Sequence, residues 1–117
     1  MSCNLNTNFA DILRGDSFGE KNISIENETS AIDLTGVLIR CQFRRGLKTG
    51  ELVKTITETD GIDIYDAVNG LFRIEDFIVD WDADIYYYDV QFTFPSGKVK
   101  TYFGGYVKIL QDVTQNA

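Results

Sequence analysis

Asp80, Asp82 and Asp84 stand at alternate positions in a strongly acidic stretch, the spacing that brings hard oxygen donors around a calcium ion. The match stops there. Ile85 stands where such a loop needs its sharp-turn glycine, and Gln91 where it needs a closing bidentate glutamate. We therefore expect no metal site and read the three aspartates as surface groups available for contact. Other carboxylates are abundant, and a glycosidase needs only two across a cleft, but no spacing in the chain singles out such a pair. The chain has no histidine, which removes the imidazole general base, every Ser-His or Cys-His couple and the usual nitrogen ligand of zinc. There is no Gly-rich phosphate loop and no nucleophile elbow. We expect no catalytic residue, no cofactor and no enzyme. Arg14-Gly15-Asp16 and the sequons at Asn22 and Asn27 are short enough to be chance matches.

A second charged group has the opposite sign. Arg40, Arg44, Arg45 and Lys48, with Lys54, fall in one expected hairpin, while residues 58–89 hold ten acids against the single base Arg73. A basic part facing an acidic one can give complementary contact between copies, in a head-to-tail arrangement that sets register. The net charge of −7 offers no footprint for a phosphate backbone or an anionic bilayer, so neither nucleic acid nor membrane is an expected partner. Trp81, Tyr65, Tyr87, Tyr102 and Tyr106 allow a second reading, a small carbohydrate-binding module whose rings receive host-surface or polysaccharide sugars.

The elements that position these groups read as strands. Val37, Ile39, Cys41 and Phe43 alternate with Arg40, Gln42 and Arg44, which predicts a strand over 37–45 with one face buried. Tyr86, Tyr88, Val90, Phe92 and Phe94 do the same over 85–94. Shorter runs at 18–27, 51–58, 62–65 and 71–74 are separated by Gly, Asn and Asp, and 99–110 closes the series after Pro95-Ser96-Gly97-Lys98. Gly104-Gly105 invites a bulge or bend in that last strand. About seven strands and no helix, in 117 residues, suggest one antiparallel β-sandwich of immunoglobulin-like type. Tyr86, four residues after Asp82, has the spacing of a tyrosine corner, whose hydroxyl bonds the backbone upstream. We expect a flexible arm over 1–8, a domain over 9–114 and a tail over 115–117. No apolar run reaches the roughly 18 residues of a membrane span, and the polar start MSCNLNTN is no secretory leader, so a cytoplasmic origin is expected. Cys41 reads as a small buried hydrophobe rather than as half of a disulfide with Cys3.

Four stretches together resemble the β-sandwich module of tail and baseplate structural proteins of bacteriophages and prophages, especially the N-terminal region of siphophage baseplate upper proteins. They are Arg14-Gly15-Asp16-Ser17-Phe18, the Ile32–Arg44 run through Leu34-Thr35-Gly36, Ile85–Val90, and the terminal hairpin from Pro95 to Asp112-Val113-Thr114. The resemblance implies a virion building block, made in the bacterial host cytoplasm, that docks to other tail or baseplate proteins and forms homo-oligomers in the assembled state. It gives the motif residues structural work: Gly36 and Gly97 shape turns, and Tyr86 and Tyr88 fill the core. The expected interface is then Arg40, Arg44, Arg45 and Lys48 against Asp80, Asp82 and Asp84. The short arm and tail would order on assembly.

Overall fold

Alternating apolar and polar residues can bury one side of a strand only if another sheet covers it, and two sheets do this here. The computed structural model describes residues 5–6, 8–27 and 29–111. Nine strands follow one another: β1 Leu5–Asn6, β2 Ile12–Leu13, β3 Lys21–Ser24, β4 Leu38–Arg45, β5 Glu51–Thr57, β6 Ile62–Asp66, β7 Leu71–Ile74, β8 Asp84–Thr93 and β9 Val99–Leu110. There is no helix among the described residues. The larger sheet runs β1-β9-β8-β4-β5, with β2 also on β9, and the smaller runs β3-β7-β6. Both short strands lie parallel to β9, Leu5 opposite Phe103 and Ile12 opposite Ile109, and all other pairings are antiparallel. Two residues of the expected N-terminal arm are thus part of the larger sheet. The expected C-terminal tail, Cys3 and the Asp112-Val113-Thr114 ending lie outside the described residues.

The core forms where the inner faces meet. Ile39, Cys41 and Phe43 of β4, Tyr86, Tyr88, Val90 and Phe92 of β8, and Val107 and Ile109 of β9 are all buried, as are Phe72 and Ile74 of β7. Phe72 meets Phe92 edge-on at 5.7 Å between ring centres, joining the two sheets. At the other end Phe18, Phe43, Phe77 and Trp81 pack as a chain of rings. Such pairs add about 0.5–1.5 kcal/mol each beyond area burial. The fold is a β-sandwich-like arrangement in which Lys21, on the outer strand of the small sheet, turns inward over the Phe9 and Phe18 rings. An inward charge on an edge strand discourages further strands from pairing there.

Two irregularities re-aim side chains. In β9 the register slips at Tyr102: Val90 pairs with Phe103 but Gln91 with Thr101. The extra residue makes Tyr102 and Phe103 consecutive buried residues and moves the inward positions from even to odd numbers. The bulge therefore lies before Gly104-Gly105 and not on them. Gly104 has a different reason: a Cβ there would sit 2.6 Å from the Tyr88 carbonyl oxygen. In β5 a slip between Phe43–Lys54 and Arg44–Leu52 leaves Val53 as the extra residue, which explains why the inward face of that strand cannot be read from alternation.

Candidate functional site

The outer face of the large sheet is organised by register, since residues directly opposite share a face. Reading across β4, β8 and β9 gives four rungs: Leu38, Thr93 and Val99; Arg40, Gln91 and Thr101; Gln42, Asp89 and Gly104; Arg44, Tyr87 and Tyr106. Leu38 and Val99 are more than half exposed, so the face has an apolar end. The other end is aromatic and basic. Tyr87 and Tyr106 meet at 6.2 Å with their rings inclined by 66°, and Arg44, Lys48 and Asp89 surround them in a depression of about 420 Å³. Gly104 and Gly105 line it with backbone.

Hydrogen bonds hold several members in place. Arg40 Nη2 donates to Gln91 Oε1 at 2.7 Å. Arg44 Nη1 donates to the Gly50 carbonyl at 3.1 Å, fixing the guanidinium beside the turn that carries Lys48. The Tyr106 backbone is gripped from the β1–β2 segment: its N–H donates to Asn8 Oδ1 at 3.1 Å and its carbonyl accepts the Phe9 N–H at 3.0 Å. With Lys108 also on this face, cations outnumber the acid Asp89. The outer face of the small sheet has the opposite bias, with Glu20, Asp63 and Glu75 exposed. Arg73 lies between Glu20 at 3.7 Å and Asp63 at 3.5 Å, and its Nε, though at ion-pair distance, makes no hydrogen bond.

The predicted interface residues divide into two groups. Arg40, Arg44 and Lys48 stand on or beside the outer face. Arg45, Asp80, Asp82 and Asp84 do not face outward as opposing patches; with Arg14 they form one ladder of alternating charge. Arg14 reaches Asp80 at 3.1 Å and Asp82 at 2.9 Å, and Arg45 reaches Asp82 at 3.0 Å and Asp84 at 2.9 Å. The Arg45 side-chain bond, with the Ile85 N–H, holds the Asp84 carboxyl below the usual carboxylate range. Two guanidinium groups thus engage carboxylates whose spacing resembled a calcium loop. Among the described residues no three His, Cys, Asp or Glu side chains converge as a metal site requires. The ladder also commits Arg14 to the far side of its own chain, away from the display an Arg-Gly-Asp adhesion loop requires.

The structural residues occupy their predicted places. Tyr86 is buried, and its hydroxyl donates to the Asp82 carbonyl at 2.6 Å. Asp82 is therefore held from both sides, its carbonyl by Tyr86 and its carboxylate by two arginines. Tyr88 is buried against Phe43 and Phe103. Gly36 and Gly97 adopt φ of 73° and 90°, conformations that favour glycine. Asp33 Oδ1 accepts both the Thr35 hydroxyl and its N–H, and these bonds lower the Asp33 pKa. Of the aromatic residues considered as sugar platforms, Trp81 packs on Phe43 and Tyr86 at 5.3 and 4.9 Å, Tyr102 is buried, and Tyr65 lies under the Arg73 guanidinium at 4.1 Å. Tyr87 and Tyr106 face outward together.

Sequence reasoning missed Arg14, Asn8 and the depression. Arg14 and Asp80 are 66 positions apart, and nothing local marks them as partners. A search of protein families finds no family model that matches the chain, and a search of curated proteins finds no match either.

Proposed function

We propose that the chain is a non-enzymatic structural module of a bacteriophage or prophage particle, of the tail or baseplate kind, working through protein–protein contacts. Two features favour an immunoglobulin-like form of the sandwich: the split of strands between the two sheets, and the Tyr86 hydroxyl on the Asp82 carbonyl at the start of β8. The motif residues behind the resemblance do structural work, as that reading requires. Gly15 N–H donates to the Val79 carbonyl, Ser17 bridges Ile78, Phe18 is buried, and Asp33 closes the turn before Gly36.

The observation that carries the proposal is the separation of charge between the two broad outer faces. Arg40, Arg44, Lys48 and Lys108 mark one, against the single acid Asp89, and Glu20, Asp63 and Glu75 mark the other, against the single base Arg73 that lies between two of them. Faces of opposite sign on one subunit make a heterologous contact, which closes into rings or stacks into tubes according to the rotation between copies. Arg45, Asp80, Asp82 and Asp84 fall out of this interface because, with Arg14, they pair with one another within the chain. Host cytoplasm is then the place of synthesis and the virion the place of residence.

Mass spectrometry of purified particles from an induced or infected culture tests the placement. The tryptic peptide Thr101–Lys108 in fixed ratio to known structural proteins is the expected result. Its absence from particles, with the protein present in the lysate, refutes the virion assignment.

A further inference from the structure

The depression at the Tyr87–Tyr106 end of the large sheet brings aromatic, basic, acidic and amide side chains around one space. We infer that it is a binding site for an acidic pyranose, a sugar ring bearing a carboxylate, of the kind found in anionic polysaccharides. Three features combine. The Tyr87 and Tyr106 rings, 6.2 Å apart and inclined by 66°, form an aromatic corner. One ring can lie under the C–H face of a sugar while the other closes its edge. Gly104 and Gly105 line the depression with backbone, and its volume of about 420 Å³ lies within the range of small-molecule sites. Polar groups line opposite ends. Arg44 and Lys48 are at the tyrosine end, with the guanidinium already fixed by its bond to Gly50. Asp89 and Gln42 stand one rung away, about 6.8 Å along the strands.

That separation gives the site its orientation. A ring carboxylate meets the Arg44 fork, which matches its two oxygens, with Lys48 adding charge. Hydroxyls on the far side of the ring donate to the Asp89 carboxylate and exchange hydrogen bonds with Gln42. The reversed pose sets carboxylate against Asp89 and is disfavoured. A neutral sugar keeps the stacking and hydroxyl contacts but forfeits the charge-assisted bond, so the site discriminates acidic from neutral rings.

The site shares Arg44 and Lys48 with the proposed docking face, whereas Arg40 marks that face without lining the depression, so Arg40→Ala separates the two readings. Titration of the full chain by isothermal calorimetry with trigalacturonate, and with maltotriose as the neutral counterpart, tests it. Trigalacturonate is expected to bind with Kd in the millimolar range or below, about tenfold tighter than maltotriose. Binding should be lost in Tyr106→Ala, retained in Arg40→Ala, and stripped of its preference for the acidic sugar in Arg44→Gln. Lys48→Glu, in an exposed turn, provides a second variant whose fold does not depend on the site, and it should weaken trigalacturonate alone. No heat from trigalacturonate at ~10 mM, or equal affinity for the two sugars in the unaltered protein, overturns the inference. Trigalacturonate binding unchanged in both Arg44→Gln and Lys48→Glu overturns it as well.

Discussion

Replacing Tyr86 by Phe removes one oxygen from a side chain that is otherwise wholly buried. The ring keeps its contact with Trp81 at 4.9 Å, so no cavity of consequence opens. What goes is the 2.6 Å hydrogen bond to the Asp82 carbonyl. A hydrogen bond of this kind contributes about 1 kcal/mol net. For 117 residues the unfolding entropy is roughly 0.25 kcal/mol/K near 60 °C, so that loss lowers Tm by about 4 °C. Differential scanning calorimetry reads the shift directly. Tyr87→Phe is the control, because its hydroxyl lies on the outer face, and its change should stay within about 0.5 kcal/mol. A Tyr86→Phe shift no larger than that of Tyr87→Phe would refute the claim that the corner bond stabilises the entry to β8.

Three further outcomes follow from particular contacts. Gly104→Ala places a Cβ 2.6 Å from the Tyr88 carbonyl, which the paired strands can relieve only by moving, and chemical denaturation should show a loss of about 1–3 kcal/mol. Burial raises the pKa values of Cys41, Tyr88 and Tyr86. Their contribution to stability is complete below the unfolded values, about 8.5 for the thiol and 10 for the phenols, and declines as pH climbs past them. Thermal scans from pH 7 to 11 should therefore show Tm falling above about pH 8.5, and Cys41→Ala should remove the earliest part of the fall. On the acid side, Asp84 and Asp33 have lowered pKa values, so their contribution is present above about pH 4 and is lost as pH drops below it. Asp84→Asn should flatten that acid limb in the same scans.

The strands were legible because alternation survives wherever one face is buried. Ile39, Cys41 and Phe43, like Tyr86, Tyr88, Val90 and Phe92, are all in the core, and Leu71–Ile74 and Val99–Leu110 have the boundaries their turn residues imply. The tyrosine corner was legible too, because Asp82 and Tyr86 are neighbours in sequence. Bulges were not. The extra residues Val53 and Tyr102 are set by the partner strand, and Gly104-Gly105 marked a close approach of backbones, two residues from the actual slip. Charge was half legible. Composition marked an acidic stretch and a basic hairpin, but only the folded chain sets Asp89 among the cations of the outer face and brings Arg14 and Arg45 onto Asp80, Asp82 and Asp84. Those residues stay at the surface, Asp80 and Asp82 more than half exposed, but they are paired and not free as sequence alone would have it. Exposed pairs of this sort contribute little to stability. Their main effect is to leave Arg40, Arg44 and Lys48 as the accessible cations of that region.

Assembly as proposed requires contact between the basic outer face of the large sheet and the acidic outer face of the small one. Sedimentation velocity tests it with two reversed proteins, Arg40→Glu/Arg44→Glu and Glu20→Lys/Asp63→Lys. The unaltered chain should associate with rising concentration at low salt, less so as salt screens the faces, and each reversed protein alone should sediment as a monomer, the arginine reversal with its Tm nearly unchanged and the acidic-face reversal with a lowered one because Arg73 loses both carboxylates. Mixed together, the two offer both the original junction and its charge-reversed counterpart and should form a complex. Reversed proteins that associate like the unaltered chain, or a mixture that stays monomeric, would contradict the account.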